Sequence, residues 1–247
     1  MKENHEKPIG FPKRIIIATI VLTILLIAVG LVVFPPNWRI SALTRRSPSV
    51  IYSVETTEPV VALTIDDGPD PVSTVKILDL LGRHQAKATF FLISQHVAGN
   101  EAIVRRSVSE GHELANHMTT DEPTIKLESA EFERQLVEAH QVLTRFSEVH
   151  WFRPGSGWYS EKMLSILGKY GYQCALGSVY PFDPQIPSAW FIRHYVLRKV
   201  RPGSIIVLHD GGSRGKRTIK VLTKILPEIK NRGFRLVTLS ELVKKGR

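Results

Sequence analysis

Two adjacent carboxylates, Asp66 and Asp67, follow an apolar run in the segment VVALTIDDGP. Neighbouring side chains on an extended segment point to opposite sides, so the two carboxylates can perform different tasks. One of them can bind a metal ion while the other takes a proton from water. A plain turn is the alternative, because Asp, Gly and Pro all favour turns.

The segment GHELANHMTTDEP adds an imidazole and a third carboxylate four residues apart, at His117 and Asp121. On a helical or turn-like segment, this spacing puts both side chains on one side, within reach of one ion. Neutral imidazole together with carboxylates suits zinc and other first-row divalent ions. With Asp67, these residues form the predicted metal site. Alternatively, Asp121 is only a turn or helix-capping residue.

An imidazole and a guanidinium are found at the ends of two further apolar runs. His209 ends the run SIIVLH, and its reference pKa of about 6.5 suits a general acid. A core histidine bonded to the backbone is the alternative. Arg153, in the segment FRPGSG, would be costly to bury without an acidic partner. Asp66 is the natural candidate for that partner.

Apolar β-type runs alternate with helical patterns from residue 60 onward. The predicted strands lie in VVALTID, KATFFLIS, HELAN, VHWFRP, QCALGSV, SIIVLHD and FRLVTL. The predicted helices lie at 72–84, 101–110, 128–147, 160–171, 188–201 and 217–232. This alternation is typical of βα units around a parallel sheet. About 190 residues of such units favour a small or incomplete βα barrel of about seven units.

The candidate chemical residues fall at the ends of these predicted strands. In βα barrels, the carboxyl ends of the strands build the active site. Five strands therefore deliver polar side chains to one rim: Asp66, Asp67, His117, Arg153, Asp183, His209 and Asp210. Purely structural polar residues would be scattered over both rims.

The N-terminal part of the chain has a different composition. Residues 15–34 form a run of twenty residues without a charge, and a helix of that length spans a hydrocarbon layer of about 30 Å. We expect a transmembrane anchor there, preceded by a short cytoplasmic tail over 1–14. A tether over 35–58 and a catalytic domain over 59–247, outside the cytoplasm, would follow. A cleaved secretory signal is the main alternative.

The charge balance limits the class of partner. The formal net charge is +10, and residues 1–46 hold seven Lys or Arg against two Asp or Glu. The remaining basic residues are scattered and are not interleaved with aromatic ones, so we expect no nucleic-acid binding. Attraction to anionic lipid or to an anionic cell-surface polymer is favoured. The single cysteine, Cys174, excludes an intrachain disulfide.

Four segments together resemble a known family. LTIDDGP, GHELANH, FRPGSG and IIVLHD resemble, in order and spacing, the signature segments of NodB-type polysaccharide deacetylases, carbohydrate esterase family four. The resemblance covers roughly residues 60–240. It implies a distorted βα barrel and metal-dependent removal of N-acetyl, or sometimes O-acetyl, groups from amino-sugar polymers.

The resemblance also implies roles for the residues of the core site. Asp66 matches the catalytic base, and Arg153 matches the residue that holds and orients this base. Asp67 and His117 match two ligands of the metal ion. His209 matches the general acid.

Other positions match the family less closely. By resemblance, Leu208 lines the acetyl pocket, Ser156 lends a backbone N–H to the oxyanion, and Asp183 tunes His209. The family usually shows His-x-x-x-His, whereas this chain has Asp121 at the second position. A site with one imidazole and two carboxylates is harder and more anionic, so manganese, cobalt, iron and nickel become alternatives to zinc.

These observations favour a membrane-anchored deacetylase that acts on an N-acetylated, chitin-like or peptidoglycan-like glycan outside the cytoplasm. Its partners would be the glycan and, through residues 15–34, the membrane. One alternative is a deacylase of a lipid-linked sugar at the membrane surface. Another is a catalytically impaired glycan-binding module, if Asp121 marks a lost metal site.

Overall fold

The computed structural model of the protein describes residues 13–33 and 37–246. These residues belong to two compact units, one ending at Arg45 and one starting at Arg46. The first unit contains helix α1 (Lys13–Val33) and most of helix α2 (Asn37–Arg46).

Helix α1 lies where the sequence predicts an apolar helix. Within the part of the chain that the structure describes, no helix has both the length and the apolar content needed to cross a membrane. The predicted transmembrane anchor over 15–34 is therefore not confirmed. Residues 1–12 of the predicted tail, and residues 34–36, lie outside the described residues.

The second unit is built around an eight-stranded sheet, in which every strand pairing is parallel. The spatial order is β1-β6-β5-β4-β3-β2-β7, and β8 also pairs with β2. The strands are β1 (Val50–Ile51), β2 (Val60–Asp66), β3 (Thr89–Leu92), β4 (Glu113–Asn116), β5 (Trp151–Phe152), β6 (Gln173–Ala175), β7 (Ile205–His209) and β8 (Arg235–Val237).

The sheet is curled, because the two ends of its strand order come together. Ser53, just after β1, forms an isolated bridge with Ser204, just before β7. The amide of Val54 donates to the Gly203 carbonyl at 2.9 Å. In a flat sheet, β1 and β7 would be about 29 Å apart, since neighbouring strands lie about 4.8 Å apart. The predicted incomplete βα barrel is thus confirmed, with bridges rather than a continuous ladder between β1 and β7.

The central strand, β2, explains why the sequence specifies this sheet so strongly. All seven of its residues are buried, as expected for a parallel strand covered on both faces. A strand of this kind has a continuous apolar run instead of an alternating pattern. Its last residue, Asp66, is the first charged side chain of the strand and emerges at the carboxyl end.

Helices cover the outside of the sheet. They are α3 (Ser73–His84), α4 (Glu101–Ser109), α5 (Ser129–Leu143), α6 (Glu161–Lys169), α7 (Ala189–Lys199), α8 (Gly212–Asn231) and α9 (Leu239–Val243). Ser160 caps the start of α6, since its side chain accepts from the Met163 amide. Asn100, just before α4, makes no side-chain capping bond.

Four elements differ from the sequence prediction. The predicted tether over 35–58 contains helix α2 and strand β1, which pairs with β6 and places Val50 opposite Cys174. This strand has only two residues, too few for a periodic signal. Helix α8 begins five residues before the predicted start at 217, and the short helix α9 is additional.

Candidate active site

Strand ends bring four predicted site residues together. Asp66 ends β2 and His209 ends β7, and the parallel register places these two residues side by side. His117 directly follows β4, and Arg153 directly follows β5. All four side chains are buried, so their charges and polar atoms must be matched by one another.

Arg153 fixes Asp66. Its Nη1 donates to Asp66 Oδ1 at 2.6 Å and to Thr64 Oγ1 at 2.8 Å. Its Nε donates to the Ala175 carbonyl at 2.9 Å, and its Nη2 donates to the Leu176 carbonyl at 2.6 Å. A guanidinium held by two backbone carbonyls cannot rotate freely, and therefore the carboxylate it binds is oriented too. The second oxygen, Asp66 Oδ2, lies 4.0 Å from His209 Nε2.

Asp183 holds His209 from the other side. His209 Nδ1 lies 2.9 Å from Asp183 Oδ1, and the His209 amide donates to Asp183 Oδ2 at 3.0 Å. Burial alone would lower the pKa of His209. The hydrogen bond and negative charge of Asp183, with the charges of Asp66 and Asp67, outweigh burial and raise this pKa above its usual value. His209 is therefore disposed to carry a proton on Nε2, facing Asp66.

His117 and Asp67 form a second pair of polar groups. His117 Nδ1 lies 2.7 Å from the Arg153 carbonyl, to which it donates, and its Nε2 lies 3.4 Å from Asp67 Oδ1. Burial alone would raise the pKa of Asp67, but the hydrogen bond and charge of His117, with the charges of His209 and Arg214, lower it. The ionised carboxylate and the oriented imidazole together favour a positive charge between them.

The third predicted ligand, Asp121, is not part of this pair. Its Oδ2 accepts from Arg214 Nη2 at 2.9 Å, and half of its side chain is exposed. Within residues 13–33 and 37–246, no three His, Cys, Asp or Glu side chains are grouped closely enough to hold a metal ion. The predicted set of Asp67, His117 and Asp121 is therefore not gathered in this structure.

The backbone accounts for the position of Asp121. A separation of four residues puts two side chains on one side only on a helical or turn-like segment. Residues 117–122 form no helix, and Met118 has a φ of 71°. The four-residue spacing therefore does not place His117 and Asp121 on a common side of a helix.

A cavity of about 450 Å³ opens beside Asp66. It is lined by Asp66, His117, Arg153, His209, Ser156, Tyr52, Tyr180, Phe182, Gln185, Leu176 and Val207, together with Pro154, Gly157 and Gly177. The predicted residue Ser156 is among them, with a φ of 67°.

Leu208 is not among the lining residues. It is fully buried, and the neighbouring Val207 lines the cavity instead. Side chains alternate between the two faces of a strand, so Val207 and His209 share one face and Leu208 faces the other. In this structure Val207, and not the predicted Leu208, is therefore the aliphatic residue of β7 beside the cavity.

Comparison with known proteins identifies the family. The family model described as polysaccharide deacetylase matches residues 53–175. A peptidoglycan-N-acetylglucosamine deacetylase from Bacillus cereus is 35% identical over 198 residues, which cover 79% of this chain and 93% of that protein. A chitooligosaccharide deacetylase from Sinorhizobium fredii is 35% identical over 196 residues, 74% of this chain and 91% of that protein.

The chain belongs to the polysaccharide deacetylase family.

Solved structures agree with this assignment. The crystal structure of a peptidoglycan N-acetylglucosamine deacetylase in complex with an N-oxidanyl-benzamide compound matches with a TM-score of 0.75 and 33% identity, and covers 81% of this deacetylase and 95% of that chain. A family 4 acetyl xylan esterase from Clostridium thermocellum, in complex with a cobalt ion, matches with a TM-score of 0.68 and 32% identity. The match covers 75% of this deacetylase and 90% of that chain. This deacetylase is a hydrolase of carbohydrate esterase family four, whose members hydrolyse N-acetyl amide bonds.

Members of the family are generally metal-dependent, and two residues of this deacetylase fit an ion. His117 and Asp67 present an imidazole nitrogen and a carboxylate oxygen to the same point. In addition, the buried Oδ2 of Asp67 forms no hydrogen bond with the described residues, although Arg214 Nη1 lies 3.0 Å from it. A buried carboxylate oxygen without a hydrogen bond is costly unless a cation lies close to it. Asp121 does not fit as a third ligand, because Arg214 holds it.

Sequence analysis missed several residues of the site. Tyr52 lies in the predicted tether, although the alternation of Val50, Tyr52 and Val54 was a weak strand signal. Arg214 lies five residues after His209, and the Gly-Gly pair between them indicates a turn at the strand end. Tyr180, Phe182 and Gln185 carry no recognisable signal in the sequence.

The contact between His209 and Asp183 predicts the effect of Asp183→Asn. This change keeps the shape of the side chain but removes the negative charge that raises the pKa of His209, so burial should dominate and the pKa should fall. NMR titration of the His209 imidazole measures it. The exposed imidazole of His150 is the internal reference. An unchanged or higher His209 pKa would contradict this account.

Proposed function

We propose that this deacetylase removes N-acetyl groups from an amino-sugar polysaccharide of the peptidoglycan or chitin type. The observation that carries the proposal is the position of Asp66. One of its oxygens is held at 2.6 Å by Arg153, and the other faces His209 Nε2 at 4.0 Å across the cavity. The two relatives named above act on peptidoglycan N-acetylglucosamine and on chitooligosaccharides, which supports a substrate of this class.

Asp66 is proposed as the general base. Its carboxylate can take a proton from a water molecule that attacks the acetamide carbon. Arg153 cannot perform this step, since a guanidinium does not deprotonate in proteins. Its role is to orient Asp66 and to match its negative charge. Removal of Arg153 would leave a buried carboxylate without its positive partner.

His209 is proposed as the general acid. The carboxylate of Asp183 favours the protonated imidazole, and the proton on Nε2 points into the cavity where the leaving amine would lie. Donation of this proton lets the amine depart as a neutral group, with acetate as the other product. Asp183 then stabilises the imidazolium when it forms again, as a carboxylate hydrogen-bonded to the other ring nitrogen does in general.

His117 and Asp67 are proposed to hold one divalent ion. When bound, the ion supplies Lewis-acid polarisation of the acetamide carbonyl. Imidazole and carboxylate donors suit zinc, which the family resemblance favours, while manganese, cobalt, iron and nickel are alternatives. The Arg153 carbonyl accepts from Nδ1 of His117 and so directs the Nε2 lone pair toward the ion once that nitrogen is deprotonated.

The cavity suits a sugar bearing an acetyl group. Tyr52, Tyr180 and Phe182 offer aromatic surfaces, and apolar or aromatic walls with a few polar groups are typical of small-molecule sites. Leu176 and Val207 are the aliphatic residues available to the acetyl methyl group. The backbone N–H of Ser156 is proposed as the donor to the developing oxyanion.

We further propose that the domain acts outside the cytoplasm, because peptidoglycan and chitin-like polymers are found there. Protease added to intact cells that express the full chain should digest the domain. Survival of the domain, together with its digestion after lysis, would contradict this location.

Acetate release tests the proposed function directly. Purified full-length protein supplied with divalent metal should release acetate from N-acetylated peptidoglycan fragments or chitooligosaccharides, and should release none from the same glycans after chemical de-N-acetylation. A lipid-linked N-acetylated sugar belongs in the same panel. Release from the lipid-linked sugar alone would contradict a polymer substrate, and no release from any amide substrate would contradict the function.

The separate roles of the adjacent carboxylates predict different defects. Asp66→Asn should lower kcat by about 10²–10⁴-fold, the usual contribution of a general base, and should leave the metal affinity nearly unchanged. Asp67→Asn removes a ligand and should weaken metal binding. Isothermal titration calorimetry with zinc and an acetate assay measure the two effects. Equal loss of metal affinity in both variants would overturn the division of roles.

A further inference from the structure

Arg214 contacts two carboxylates at the rim of the site. Its Nη1 lies 3.0 Å from Asp67 Oδ2, and its Nη2 donates to Asp121 Oδ2 at 2.9 Å. Asp67 is one of the two residues proposed to hold the ion, whereas Asp121 lies four residues after the other one. A single guanidinium therefore bridges the metal-binding pair and the acidic residue that the sequence motif suggests as a ligand.

The start of α8 places Arg214 at this point. Gly211 and Gly212 have positive φ angles of 79° and 50°, a conformation that glycine adopts at little cost. At Gly215, a Cβ atom would overlap the side chains of Ser73 and Asp210. The first turn of α8 can thus pack tightly against the start of α3, which directs Arg214 toward Asp67.

The two contacts of Arg214 differ in character. The contact with Asp121 is a hydrogen-bonded ion pair, and the Asp121 side chain is 50% exposed. The contact with Asp67 is an ion pair to a buried oxygen, and it is not aligned as a hydrogen bond. The guanidinium therefore neutralises the charge of Asp67, but it does not form a hydrogen bond with Asp67 Oδ2.

An ion bound by Asp67 and a guanidinium 3.0 Å from the same carboxylate would repel each other. Two like charges a few ångström apart near a protein surface interact by several kcal/mol at most, which still corresponds to a large change in affinity. Arg214 is half-buried, with 34% of its side chain exposed to solvent. Its Nη2 pairs with Asp121 while its Nη1 approaches Asp67, so the two contacts use different nitrogen atoms.

We propose that Arg214 is a built-in counter-cation that neutralises Asp67 while no ion is bound, and that Asp121 is the anchor of Arg214 and not a metal ligand. On ion binding, Arg214 leaves Asp67 and remains attached to Asp121. This inference rests on the proposed ion site of His117 and Asp67. It explains why an acidic residue is useful four residues after His117 even though it does not approach the imidazole.

Metal titration of Arg214→Gln tests the first part of the proposal. Zinc and manganese are titrated by calorimetry into the metal-stripped full chain, as wild type and as variant. Removal of the competing charge should tighten binding of each metal by at least about tenfold, equivalent to about 1.4 kcal/mol. Lys216→Gln is the matched control, because it removes one exposed positive charge from the same turn of α8. Its affinity should match that of the wild type.

A conservative variant and a stability measurement guard against a folding defect. Arg214→Lys keeps the charge but cannot bridge two carboxylates, so its affinity should fall between those of wild type and Arg214→Gln. In thermal unfolding, zinc should raise the Tm of Arg214→Gln by more than it raises the Tm of wild type, since stabilisation by a ligand increases with affinity. A smaller zinc-induced rise would count against the proposal.

The anchor role of Asp121 is tested in the Arg214→Gln background. If Asp121 serves only to hold Arg214, adding Asp121→Asn should leave the metal affinity unchanged. A loss of tenfold or more would show that Asp121 ligates the ion and would overturn the anchor role.

The remaining outcomes separate this inference from the proposed function. Equal affinity in wild type and Arg214→Gln would overturn the counter-cation while leaving the ion site of His117 and Asp67 intact. Binding in Arg214→Gln alone would support the counter-cation strongly. No binding in any of the proteins would overturn the ion site itself, and the counter-cation with it.

Discussion

Buried negative charge at one end of a parallel sheet is the constraint on which the rest of this site depends. Asp66, Asp67 and Asp183 are each almost completely buried, and a buried carboxylate requires a positive partner and hydrogen bonds. Arg153 pairs with Asp66, and His209 pairs with Asp183. Asp67 pairs with both His117 and Arg214. Each pairing couples strand ends or loops that are far apart in the chain, so the charges also fix the geometry of the rim.

The three ion pairs differ in how many further contacts hold them in place, and their proposed functions differ accordingly. Arg153 also donates to two backbone carbonyls, which makes its pairing with Asp66 a fixed part of the structure. Asp183 holds both the ring and the amide of His209. Asp67 has a buried oxygen without a hydrogen bond, and its partner Arg214 is partly exposed to solvent. Under the proposals above, exchange of cations would take place at Asp67.

Much of the fold and part of the site follow from the sequence alone. A fully buried parallel strand such as β2 has a continuous apolar run, and this run ends at a charged residue where the strand leaves the core. The same reasoning locates Arg153 and His209 at strand ends and predicts that they meet Asp66. By contrast, the two-residue strand β1 is too short to produce a pattern, and its inclusion in the sheet depends on pairing with β6, more than 120 residues later in the chain.

The sequence by itself determined the βα alternation, the strands that carry the chemical residues, and the types of those residues, since hydrophobic periodicity and local spacing are properties of short segments. Only the tertiary structure decided which groups the side chains meet. Asp121 is close to His117 in sequence, yet its partner is Arg214, 93 residues away. The reason is that a non-helical loop does not preserve a four-residue spacing as a common side. The direction of such a loop is set by packing and charge interactions with other elements of the fold, and no local sequence pattern specifies these interactions.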